Sequence, residues 1–190
     1  MLWRYVATLY FRARKTQAIS IQFSKSGEFI YFIAEDIARG KIFTLQVPPT
    51  PDASTTHPVL ASPFDTPIAL TDTHVASGLQ VLSEGRLLFA LSSLTSPNDA
   101  YILGNLQQVE ADIRKNASSH VKGQHIRITS FSDSPLEGKH LDPGEDFWFQ
   151  GAEHEIHGWI LTPPGCKPTD VKKWPVVLLI HGGEFCHVIK

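Results

Sequence analysis

Few residues of this chain have the type and spacing that chemistry needs, and each can be held against the geometry that chemistry would demand. His154-Glu155-Ile156-His157 offers two imidazoles three residues apart. On a strand, residues three apart point to opposite faces. The helical zinc motif needs a spacing of four. The pair therefore reads as polar side chains on an exposed hairpin, with no metal site. Cys186 stands beside His187, but an activated thiol needs a third group to orient its base, and adjacent residues supply none. Cys166 and Cys186 are too few and too ill-spaced for a disulfide framework or a zinc knuckle. Glu35-Asp36 reads as a solvated turn. There remains His181-Gly182-Gly183, which closes the run Trp174-Pro-Val-Val-Leu-Leu-Ile180. A glycine pair at the end of an apolar run lets the backbone turn sharply and approach a ligand.

The elements that would position these residues are mostly short strands. Ala18 to Phe23 reads as a strand, Ser24-Lys-Ser-Gly27 as a turn and Glu28 to Ala34 as a second strand. A polar turn, Glu35 to Gly40, leads into a third strand, Lys41 to Val47. The pattern then repeats: Val75 to Leu82 as a strand, Ser83-Glu-Gly85 as a turn, and Arg86 to Leu91 as a strand. The turn Ser96-Pro-Asn-Asp99 opens a last strand, Ala100 to Leu103. The copies align as Ser24-x-x-Gly27-x-Phe-Ile-Tyr-Phe32 against Ser83-x-Gly85-x-Leu-Leu-Phe-Ala90. Between them, Pro48 to Pro58 is rich in Pro, Thr and Ser and reads as an inserted loop. The offset is a little longer than the roughly 40–50 residues of common propeller blades, as an insertion would make it. Each copy is an antiparallel meander, as a propeller blade is; β-sandwiches also give short strands with glycine turns, and the propeller is the favoured reading.

Gln107 to Asn116 predicts a short helix with Val109 and Ile113 on its apolar stripe. Lys122 to Lys139 reads as an irregular connection with one strand-like run, Gln124 to Thr129. After Asp142-Pro-Gly144, Glu145 to Phe149 and Ile156 to Leu161 predict a hairpin. Phe147-Trp148-Phe149 in it is core or domain-interface packing, because aromatics bury large areas. Val176 to Ile180 is apolar without alternation, which predicts a strand buried on both faces. Three segments follow: residues 1–116 as a partial β-propeller of about two blades, 117–144 as a connection, and 145–190 as the first strands of an α/β domain.

Composition narrows the partners. A net charge of −2, with scattered basic residues, gives no electrostatic reason to expect nucleic acid or an anionic membrane. No apolar run reaches the ~18 residues of a membrane span, and Met1 to Gln17 lacks the apolar segment of a signal peptide.

Ser92 to Tyr101, Asp146 to Ala152, His157-Gly-Trp-Ile160 and Trp174 to Gly183 together resemble the fungal dipeptidyl-peptidase V group of the prolyl oligopeptidase family of serine peptidases. The resemblance runs from about Ile19 to Gly183. It implies a propeller that filters substrates and a C-terminal α/β-hydrolase domain that does the chemistry, without a cofactor, on peptide substrates from which dipeptides are released. Such a hydrolase needs a serine on a Gly-x-Ser-x-Gly turn, then an Asp and a His. No serine here has glycine two residues away on both sides. The resemblance implies that the triad follows Lys190, so the chain is expected to be an inactive, truncated piece. By the same resemblance the Gly183 N–H, in the turn His181-Gly182-Gly183, is one of two oxyanion donors, a donor typically worth about 3–4 kcal/mol of barrier. Glu184 stands where the family usually has proline. A carboxylate about 5 Å from the developing charge would oppose it by roughly 3 kcal/mol. Some family members also use propeller carboxylates to hold a substrate amine, the role Glu35-Asp36 would then take. Acylaminoacyl-peptidases, esterases and a non-catalytic β-fragment remain as alternatives. Open sheet edges predict self-association.

Overall fold

The computed structural model describes residues 18–47, 67–115, 123–166, 169, 171 and 173–180. The first sheet is an antiparallel meander in sequence order, β1 (Ile19–Phe23), β2 (Phe29–Asp36), β3 (Arg39–Gln46) and β4 (Ile68–Ala69). The second repeats that order with β5 (Val75–Leu82), β6 (Arg86–Ser92), β7 (Asp99–Leu103) and β8 (His125–Arg127). Helix α1 (Leu106–Arg114) follows β7, and a single turn, α2 (Asp133–Leu136), follows β8. A separate antiparallel hairpin joins β9 (Glu145–Gln150) to β10 (Glu155–Ile160). None of the sheets closes on itself.

The repeat seen in the sequence places its two copies at equivalent points, each linking the first and second strands of a sheet. In the first, the Phe29 N–H donates to Ser24 Oγ at 3.1 Å and Gly27 takes φ +75°. In the second, Gly85 takes φ +64°. A further correspondence lies in the ladders. Ile19 pairs with Ile33 and Gln22 with Tyr31, while Ser77 pairs with Ala90 and Gln80 with Leu88. Each first strand therefore carries one extra residue, a β-bulge. The residues at the bulges, Ser20 (φ 54°) and Gly78 (φ 62°), are both left-handed, as bulges of the glycine type require.

Strand β2 is the centre of the molecule. Phe29, Tyr31 and Ile33 point to one side, into a cluster with Leu87, Phe89, Leu91 and Leu103 of the second sheet and Leu106, Val109 and Ile113 of α1. Ile30, Phe32 and Ala34 point to the other side, with Phe43 and Leu45. All six side chains are 0–1% exposed. Phe32 stacks on its ladder partner Phe43 at 5.7 Å. Helix α1 spans the seam between the sheets: Tyr31 donates to Glu110 at 2.5 Å, and the Arg114 guanidinium lies 5.0 Å over Phe29.

Three expectations change. The turn placed at Glu35 to Gly40 shrinks to Ile37-Ala38, because β2 and β3 stay paired out to Asp36 and Arg39. Both turn residues have φ 53°, the twist that suits a two-residue hairpin. Glu35-Asp36 is thus the end of a strand, with Asp36 bonded to Lys41 at 2.8 Å. The run Gln124 to Thr129, read as belonging to an irregular connection, supplies the outer strand β8, and β4 is too short to show in the sequence. Finally, Val176 to Ile180 forms no strand and is 80–89% exposed. A strand buried on both faces is held by neighbours on both edges and helices on both sides, and the described residues provide neither.

Candidate functional site

His181, Gly182 and Gly183, with Glu184, Cys186 and His187, lie outside the described residues. Of the other candidates, His157 and Trp148 lie on one face of the β9–β10 hairpin, the face that meets Arg39, whereas Phe147 and Phe149 lie on its opposite face, Glu35-Asp36 ends β2 and Cys166 lies beyond β10. The ladder sets His157 opposite Trp148 and Trp159 opposite Asp146. The His157 ring therefore lies between two indoles, with centroids 4.8 Å from Trp148 and 5.7 Å from Trp159. His157 Nε2 is buried and makes no hydrogen bond; Asp146 Oδ2 is 3.7 Å away. His154 sits before β10, in the tight turn where its carbonyl accepts the Gly151 N–H at 2.9 Å. The two histidines are therefore parted by the turn as well as by strand geometry.

Arg39, the first residue after the Ile37-Ala38 turn, completes the cluster from the first sheet. Its Nη2 donates to Asp146 Oδ1 at 3.3 Å, and its guanidinium lies 4.8 Å over the Trp159 ring. Burial alone would raise the Asp146 carboxyl, but the Arg39 bond and charge, with His157 nearby, hold it below the usual carboxylate range. The residue leading into the hairpin also comes close to a loop of the second sheet. A β-carbon on Gly144, which has φ +75°, would come 3.0 Å from Leu94 Cδ1 and 3.1 Å from Trp159 Cε3. Leu94 lies between β6 and β7, and Arg39 begins β3 just after β2. The hairpin and the residue leading into it thus meet corresponding connections of the two sheets. Asp142 ties its open end, accepting from the Gly144 N–H at 2.8 Å and from the Thr162 N–H and hydroxyl at 2.6 and 2.7 Å.

Sequence reading misses a second polar centre. Asp99 is 1% exposed, and its carboxylate accepts from Thr129 Oγ1 (2.7 Å), Ser132 Oγ (2.8 Å), Arg127 Nη2 (2.5 Å) and the Phe131 N–H (2.9 Å). The Thr129 bond chiefly, then those from Ser132, Arg127 and Phe131, holds this carboxyl far below its ordinary range despite burial. Arg127 also reaches Asp133 at 2.6 Å. A signal does exist in the sequence: an acidic residue closing Ser96-Pro-Asn-Asp99 at a strand start must be paired if that strand is inner. The donors, some thirty residues later, cannot be foreseen without the β7–β8 pairing.

Neither centre brings a serine or cysteine against a histidine; the Ser132 hydroxyl meets only the Asp99 carboxylate, which Arg127 and Thr129 also occupy. Among the described residues no group of three or more His, Cys, Asp or Glu is placed to share a metal ion. What the arrangement does is mechanical: Asp99 fastens the chain after β8 to the second sheet, and Arg39 fastens the hairpin to the first.

No family model matches the chain. It is 30% identical over 164 residues to dipeptidyl-peptidase 5 of Arthroderma otae, a match covering 86% of this chain and 19% of that protein. To the probable dipeptidyl-peptidase 5 of Arthroderma benhamiae it is likewise 30% identical over 164 residues, with the same coverage. To dipeptidyl-peptidase 5 of Trichophyton equinum it is 29% identical over 163 residues, 86% of this chain and 19% of that one. The chain spans about a fifth of the length of these curated relatives. The resemblance carried by the Ser92 to Tyr101, Asp146 to Ala152 and Trp174 to Gly183 motifs therefore holds, and over most of its residues the chain is a homologue of the dipeptidyl-peptidase 5 proteins.

Proposed function

We propose that these residues contribute two adjoining propeller blades, the connection that follows them and the first hairpin of an α/β-hydrolase domain to a serine peptidase that releases dipeptides from peptide N-termini. The observation that carries this reading is the order of elements along the chain, 86% of which matches these relatives. Two bulged four-strand meanders come first, then a Phe-Trp-Phe hairpin, then an apolar run ending in a glycine pair. On this reading the Gly183 N–H serves the oxyanion. No serine among the 190 residues stands in a Gly-x-Ser-x-Gly turn, so these residues by themselves hydrolyse nothing. The alternative, a non-catalytic β-structure that binds a partner, draws on the same missing nucleophile.

Two measurements test the reading. The purified chain is expected neither to react with a fluorophosphonate probe nor to turn over dipeptidyl or acyl-ester substrates; stoichiometric labelling of any serine would overturn the inactivity. Grafted in place of the corresponding span of the Arthroderma otae protein, the chain is expected to give a folded chimera that labels and releases dipeptides. A chimera that folds and labels but releases no dipeptide would refute the peptidase role.

A further inference from the structure

We infer that Arg39 is a latch that holds the β9–β10 hairpin against the ends of the two sheets, and that opening it frees the hairpin while the sheets stay folded. The starting point is a mismatch. A two-stranded hairpin is marginal in water unless something packs on it, yet on this one Phe147, Phe149, Ile156 and Ile160 are 40–50% exposed. Its outer face therefore contributes little to its order. The inner face is covered at one end: His157 and Trp159 are half-buried beside Asp146, while Trp148, at the far end of the same aromatic row, is 51% exposed, and Arg39 of the first sheet bonds this face.

Arg39 is suited to the task by chemistry and by place. A guanidinium can lay its plane on an indole while its edge bonds a carboxylate, and both contacts are made here. The side chain springs from a two-residue turn that β2 and β3 pin on either side, and its Nη1 also bonds the Ile37 carbonyl at 3.4 Å. The anchor is thus rigid and the object it holds is not. The sheets keep their own core, to which no hairpin residue belongs. Loss of the latch should cost local order alone, and nothing in the latch depends on the peptidase reading.

Amide hydrogen exchange on the full chain tests this, with β2, β3 and β6 as internal reference. In Arg39→Ala, amides of residues 145–160 should exchange about tenfold faster, while the reference strands keep their protection. Raising salt to 1 M should speed hairpin exchange in the wild type, since screening weakens the Asp146 bond, and have less effect in Arg39→Ala. Arg39→Lys should recover some of the protection, and the exchanged pair Arg39→Asp with Asp146→Arg should recover more than either single change. Unchanged hairpin exchange in Arg39→Ala, or equal acceleration in hairpin and reference strands, would overturn the latch. A wild-type hairpin already unprotected would overturn it too.

Discussion

The β2–β3 and β9–β10 hairpins are built alike and placed in opposite surroundings. Each is an antiparallel pair joined by a tight turn, and each carries aromatic residues on both faces. In the first, Phe29 to Ala34 are 0–1% exposed; in the second, Phe147, Trp148 and Phe149 are 40–51% exposed. Apolar content within a strand therefore does not say whether a partner face is present. The first hairpin meets the second sheet and α1 and becomes core. The second meets a single arginine and the edge of a loop. The difference lies in what covers each strand, and that is a property of distant sequence.

Truncating the two stacked phenylalanines should separate the hairpins most sharply. Phe32→Ala, in the doubly buried strand, is expected to cost about 3–5 kcal/mol. Phe149→Ala, on the outer face of the second hairpin, should stay within about 1 kcal/mol. Urea unfolding measures both, and similar costs would show that the second hairpin belongs to the core after all.

The same comparison states how much could be read in advance. Strand positions in both sheets follow from alternation and from the Ser24/Gly27 and Ser83/Gly85 turns, and α1 from the spacing of Val109 and Ile113. The hairpin follows from Gly151 between two apolar runs. What escapes depends on partners remote in sequence. The strand β4 is too short to declare itself, β8 shows as a strand-like run whose pairing with β7 has no local sign, and the Asp99 donors come from residues 127–132. The seat of Arg39 beneath Trp159 joins positions more than a hundred residues apart, so no local pattern marks it. The Val176 to Ile180 run reads as a strand because its composition describes surroundings that the described residues do not contain.

A middle-sized effect is expected where α1 bridges the sheets. Tyr31 is pushed well above its ordinary range by burial first and by Glu110 second, so its hydroxyl stays a donor to the carboxylate. Tyr31→Phe should remove that charge-assisted bond at a cost of about 1.5–3 kcal/mol, again by urea unfolding. No loss would place the seam's stability in the apolar cluster alone.

Acid should act on the fastenings before the core. Asp99, Asp142 and Asp146 are all depressed in the folded chain. Each contributes stability that is present above the unfolded value near about 3.9 and is lost as pH falls through the depressed folded value. Melting temperature should therefore hold above about pH 5 and fall steadily below about pH 4. Asp99→Asn should lower the plateau and flatten that slope; an unchanged slope would remove Asp99 from the acid response.

The smallest expected effect is a gain. Ile37 and Ala38 hold left-handed angles at φ 53°, a conformation that costs an ordinary L-residue roughly 1–2 kcal/mol. Replacing the pair by Asn-Gly, the sequence this turn favours, should stabilise the first hairpin by about 1 kcal/mol. The change leaves Arg39 in place, so exchange in the second hairpin should not slow. If it does, the anchor is less rigid than its ladder suggests.

The clip made by Asp142 has a consequence under force. A force applied to the chain on both sides of the β9–β10 hairpin would load its open end. Antiparallel strands pulled from their open end separate bond by bond, like a zip, and resist weakly. Asp142 joins the backbone before β9 to Thr162 after β10 through two short hydrogen bonds. Tension therefore reaches the clip before it reaches the Glu145–Ile160 pair. The carboxylate acts as a mechanical fuse: while it holds, the ladder behind it bears no load, and once it breaks the hairpin opens along its length.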